Sequence, residues 1–180
     1  MTSLHVQTPP GSAATPSAAA RMIAELRRES ETTRRVLERV PDDRLGWKPH
    51  ARSMSLGQLA LHLAQLPLGI TTLVERLTTE VPAVPLVQPA SRREILDALE
   101  QGVAHAAERL AAWGDAGLEA QWTLTREGAV LVSQPRGDVL RSLMLNHTYH
   151  HRGQLTVYLR LLDVPLPPVY GPTADENPFA

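Results

Sequence analysis

Apolar positions along the chain fall into four stretches of helical period, separated by proline-rich breaks. Met22, Leu26, Thr33, Leu37 and Val40 recur at three- and four-residue spacing, the signature of one buried helical stripe. Thr15-Pro16 predicts the helix start, with Thr15 as N-cap and Pro16 as first helical residue, and Pro41 stops the run. A second stripe, Leu59, His62, Leu66, Ile70, Leu73 and Leu77, follows Ser55-Leu56-Gly57-Gln58, which has the form of a capping box. Pro67 within it predicts a kink or a break into two pieces. Residues 81–90, with Pro82, Pro85 and Pro89, read as an extended loop.

The third stripe is Ile95, Leu99, Val103, Ala106, Leu110 and Trp113, opened by Ser91-Arg92-Arg93-Glu94 and closed by Gly114. Residues 122–132 alternate and turn at Glu127-Gly128, the pattern of a small hairpin or an irregular excursion. The last stripe, Leu140, Met144, His147, His151, Leu155, Tyr158 and Leu162, starts near Asp138 and ends before Pro165. Four amphipathic segments predict an all-α fold, a four-helix bundle with long connections. The expected organisation is a flexible N-terminal tail over 1–15, the bundle over 16–165 and a Pro-rich C-terminal tail over 166–180.

Composition agrees with helices: hydrophobic residues are 43% of the 180 and aromatics only 4%, so the core must be mainly Leu, Val, Ile and Ala. The net charge of -1 carries no basic excess, which argues against nucleic acid as a partner. Arg27-Arg28 and Arg34-Arg35 read as a solvated helix face. With no apolar run long enough for a bilayer and no signal-peptide pattern, a cytoplasmic protein without membrane contact is expected. The absence of cysteine excludes a disulfide framework, a thiolate metal site and a cysteine nucleophile.

Histidine placement carries the candidate chemistry. His147 and His151 lie one helical turn apart on an apolar stripe, so both imidazoles can reach one ion. His62 occupies an inward position between Leu59 and Leu66 on another helix. A buried imidazole alone can be a core residue with a hydrogen-bond partner. Three inward imidazoles on two helices form instead an open facial nitrogen site suited to Zn, Ni, Fe or Mn. His150, about sixty degrees round the helix from His147, reads as a proton-transfer group or outer neighbour at the mouth of the site. His5, His50 and His105 have no supporting pattern.

Trp47-Lys48-Pro49, the segment Ser55-Leu-Gly-Gln-Leu-Ala-Leu-His62-Leu-Ala, and Asn146-His147-Thr-Tyr-His-His151-Arg-Gly-Gln-Leu resemble the DinB/YfiT-like superfamily over about residues 18–165. The resemblance implies a four-helix bundle of unusual connectivity, commonly a homodimer, with a divalent metal on the histidines that match His62, His147 and His151. It also implies activities of the kind that family contains: S-transfer with low-molecular-weight thiols such as bacillithiol or mycothiol, and a mycothiol-dependent maleylpyruvate isomerisation. The family's name comes from DNA-damage induction and implies no DNA contact.

Helix-borne His-x-x-x-His sites in metal hydrolases commonly carry a glutamate base directly after the first histidine. Here that position is Thr148, and no acidic residue occurs from Val139 to Leu162. A metal-activated small thiol attacking an electrophile therefore fits better than metal-bound water. Arg152 or Gln154 could orient anionic groups of the thiol. Arg152 also reads as a surface or packing residue, and Gln154 as a hydrogen-bond partner of a ligand. A hydrolase and a non-catalytic metal-binding stress-response protein are the competing readings.

Overall fold

The computed structural model describes residues 15–179. Helix α1 (Ala18–Leu37) starts two residues beyond where Thr15-Pro16 placed it: Ser17 is the N-cap, its hydroxyl accepting from the Ala20 amide at 3.1 Å. The Asp115 carboxylate accepts from the next free amides, Ala18 at 3.1 Å and Ala19 at 2.9 Å, so α1 is capped from across the molecule. Helix α2 (Leu56–Leu73) has the expected box, with Ser55 Oγ accepting from Gln58 N and Gln58 Oε1 from Ser55 N. It runs through Pro67 as one 18-residue element and does not split.

Helix α3 (Arg92–Glu119) is capped by Ser91 and is helical to Gly114, whose φ of 57° only glycine adopts easily. A further helical turn follows that residue before the chain reaches Glu119. The last helical run has three parts: α4 (Arg136–Val139), a π-helical stretch (Leu140–Asn146) and α5 (His147–Leu161). Helices α3 and α5 each pack against both α1 and α2.

The all-α expectation is corrected by a three-stranded mixed sheet, β1 (Thr78–Glu80), β2 (Gln121–Arg126) and β3 (Ala129–Pro135), in that order. Strands β2 and β3 form the hairpin, with positive φ at Glu127 and Gly128 as a tight two-residue turn requires. Strand β1 joins β2 in parallel, Thr79 opposite Leu124. Three residues are too few to display a two-residue period, and their partner lies more than forty residues away. Trp122, 1% exposed, ties β2 into the core.

The core has two apolar clusters. Leu59, Leu63 and Leu155 belong to one, and Val74, Leu140 and Met144 to the other. On the last helical run the histidines fall between the residues that feed these clusters. Two buried arginines, one bonded to backbone carbonyls and one paired with a carboxylate, support this frame. The Arg136 guanidinium, 5% exposed, donates to the carbonyls of Val74 (2.9 Å) and Gly117 (2.8 Å), closing the ends of α2 and α3. Arg152, 1% exposed, reaches α1, where it donates to Glu29 Oε2 (2.9 Å), the Glu29 carbonyl (3.0 Å) and Thr33 Oγ1 (3.2 Å). Tyr170, from the segment after α5, bonds to the same Arg152 and Glu29 groups.

A more exposed clamp joins α1 to the π-helical stretch. Arg141 meets both Glu25 oxygens at 2.6 Å, and the Tyr149 hydroxyl donates to Glu25 Oε1 at 2.6 Å. The Arg141 hydrogen bonds above all hold the Glu25 carboxyl down at about 2 from an ordinary 4.5. A lowered carboxylate stabilises the fold fully above its unfolded value and loses that contribution as pH falls from about 4.5 through about 2. Arg141 is 43% exposed, so solvent screening reduces the effect to about 1–2 kcal/mol. Glu25→Gln is therefore expected to lower stability by that amount at pH 7 and to match wild type near pH 2. Urea unfolding at the two pH values reads the difference.

Candidate metal centre

Each histidine reaches the site from a different local context. On α2, His62 lies one turn from Leu59 and from Leu66, both buried, so its ring is carried inward with them. His147 is the first residue of α5, where π-helical hydrogen bonding gives way to α-helical. A π-helical turn takes in extra residues, so it changes the direction in which the following side chains point. His151 follows four residues later and is 6% exposed.

The three rings converge. Their centroids are 5.4 Å apart for His62–His147, 4.7 Å for His62–His151 and 4.3 Å for His147–His151. One nitrogen from each ring lies within 4.8 Å of the others, a group that could hold a metal ion. No carboxylate joins it among the described residues.

Burial keeps these imidazoles neutral. It is the first cause of the lowered pKa in all three, with neighbouring imidazole charge adding to it, and His151 falls to about 4. Neutral imidazole offers a lone pair, which is the form a metal ligand needs. The second nitrogens differ in their partners. His151 Nδ1 lies 2.7 Å from Gln154 Oε1, an acceptor, so Nδ1 carries the proton and Nε2 is left with its lone pair. His147 Nδ1 is buried and makes no hydrogen bond of good geometry. An orphaned buried nitrogen and an aligned neutral ligand both fit a bound cation.

His150 is exposed, with its ring centroid 5.0 Å from His151 and 6.4 Å from His147. It stands beside the group without belonging to it. Gln154 is at the site through His151. Arg152 is on the same helix, but its guanidinium lies in the buried α1 cluster with Glu29, so its charge is matched inside the protein. Trp47 packs edge-on against Tyr158 at 5.8 Å, with the first apolar cluster. His62 also lines a groove of about 410 Å³ between α2 and the segment after β1. The sequence reading did not find this groove. Its one visible sign was Gly69, a glycine inside a helical pattern with no turn to make.

A DinB family model matches residues 14–177, and the chain belongs to the DinB family. A Bacillus subtilis protein, YrdA, described as uncharacterized, is 30% identical over 152 residues, which cover 82% of this chain and 85% of that one. A DinB-like protein of Bacillus cereus has a crystal structure that aligns with a TM-score of 0.63 at 26% identity, over 83% of this chain and 95% of its own. The DinB-like protein YjoA of Bacillus subtilis shares the fold at TM-score 0.65 and 17% identity, over 83% of this chain and 96% of its own. In the described residues no helix is long and apolar enough to cross a membrane.

Proposed function

We propose that His62, His147 and His151 hold one divalent ion, Zn, Ni, Fe or Mn, and that the protein is a metal-dependent transferase for a low-molecular-weight thiol. The observation that carries the reading is the convergence of three neutral imidazoles, without a carboxylate, beside a solvent-open groove. A cation bound by three neutral ligands would keep its full charge and strongly acidify a coordinated thiol. The residues around it have separable roles. Gln154 fixes the His151 tautomer by accepting from Nδ1. His150, exposed at 5.0 Å from the His151 ring, is placed to take the thiol proton and pass it to solvent.

The chain supplies no thiol of its own, having no cysteine, so the nucleophile comes from outside. A hydrolase is less well supported. Thr148 stands where helix-borne metal hydrolases carry their glutamate, and Glu29 is committed to Arg152. A homodimer in the cytoplasm is part of the proposal.

The test is a thiol-conjugation screen on metal-loaded protein, with a panel of small thiols and alkylating electrophiles and with ester hydrolysis in parallel. Metal-dependent thiol consumption without ester turnover is the expected result, and ester turnover without thiol consumption would reverse the assignment. In the same assay His150→Ala should lower kcat about 10²-fold or less while leaving metal content unchanged. Loss of metal in that variant would make His150 a ligand instead.

A further inference from the structure

The groove at His62 has a chemical character of its own. Leu66, Ile70, Leu73, Pro82 and Val84 form its walls, and among the described residues no charged side chain lines it. At about 410 Å³ it lies within the range of small-molecule sites. Besides His62, the polar side chains in the lining are Gln65, Thr72 and Thr79, and of these the Thr79 hydroxyl already donates to the Leu73 carbonyl at 2.8 Å. The wall formed by the chain after β1 is anchored further along: Gln88 Nε2 donates to the Leu45 carbonyl at 3.1 Å, and Gln58 Nε2 to the Leu86 carbonyl at 3.2 Å.

Gly69 supplies the second observation. It lies within α2 and lines the groove, its φ is not positive, and a Cβ built there would meet nothing within 4 Å. A helix-interior glycine weakens a helix relative to alanine, and neither turn geometry nor close packing requires it here. What the missing side chain does is leave the groove open one turn beyond Leu66.

We infer that this groove is the subsite for the apolar, uncharged body of the electrophile, delivering its reacting atom to the His62 side of the centre. Away from His62 its lining offers a carboxylate- or phosphate-bearing body no charged side chain to pair with. The inference rests on the proposed three-histidine centre only for which reactant sits there; that the groove binds neutral apolar molecules is independent of metal.

The test is fluorescence titration of the full-length protein with N-phenyl-1-naphthylamine, a neutral apolar probe, against its sulfonated analogue 1-anilinonaphthalene-8-sulfonate. Wild type should bind the neutral probe more tightly than the anionic one. Gly69→Leu and Gly69→Phe should weaken the neutral probe by about ten-fold or more. Both variants should keep wild-type metal content and a thermal midpoint no lower than that of wild type. Gly69→Ala should weaken it less and raise the midpoint slightly. Equal binding to wild type and Gly69→Phe, or tighter binding of the sulfonate, would overturn the inference. Intact probe binding in a wild-type protein that takes up no metal would instead remove the proposed function and leave the apolar groove standing.

Discussion

Arg152→Ala should destabilise the protein by about 3–5 kcal/mol, with a fall in Tm on the order of 10 °C. Arg152 is 1% exposed and Glu29 7%, so neither charge has bulk water to fall back on. Burial raises the Glu29 carboxyl, but the hydrogen bonds from Arg152 and Tyr170 outweigh it, and the group stays below its ordinary value. Truncation would leave that carboxylate without its guanidinium, with the Tyr170 hydroxyl at 2.8 Å and the exposed Arg28 at 3.6 Å as its remaining partners, and the Thr33 hydroxyl without its donor. It would also loosen Tyr170, and with it the segment after α5 that lies against α1. The double variant Glu29→Ala/Arg152→Ala should lose clearly less than the sum of the two single changes, because the second removes the charge the first left unpaired. Additive losses in chemical denaturation would show that the pair is not coupled. The cluster also bears on function, since it neutralises a cation adjacent in sequence to His151.

The other large effect concerns the centre itself. His151→Ala should weaken divalent-metal affinity by well over the 10–100-fold typical of losing an outer hydrogen-bond partner. It removes the proposed ligand whose lone-pair nitrogen is set by Gln154, and it leaves two imidazoles on different helices. Gln154→Ala offers the graded comparison, expected within about 10–100-fold of wild type because the ring stays and only its tautomer and orientation are released. Competition titration with a chromogenic chelator separates the two. Equal losses in both variants would mean that Gln154 is not acting through His151.

Much of this site was legible from spacing. An apolar stripe interrupted by His147 and His151, and another by His62, locates the three rings because a helix repeats its facing every three to four residues. Ser55 with Gln58, Ser91 with Glu94 and Glu127-Gly128 are local signals, completed within four residues, and they appear in the structure as caps and a turn. Features that depend on distant partners were not legible. Strand β1 exists because β2 is beside it. Arg152 is buried because Glu29, 123 residues earlier, fills a gap in the α1 stripe between Leu26 and Thr33. The π-helical stretch before His147 left no composition signal, and its residues had been expected to continue an ordinary α-helix. Ser17, rather than Thr15, caps α1. Both have the right hydroxyl, and the choice between them depends on Asp115 reaching the same helix end.

The most direct test of the central claim is the metal content of protein purified without a histidine tag, measured by inductively coupled plasma mass spectrometry and checked by calorimetric titration after chelator treatment. The account predicts about one divalent ion per chain in wild type, and essentially none in His62→Ala, His147→Ala and His151→Ala variants whose helical circular dichroism is unchanged. A wild-type protein that binds no divalent ion at micromolar concentration, or any of these three variants binding as much as wild type, would contradict it.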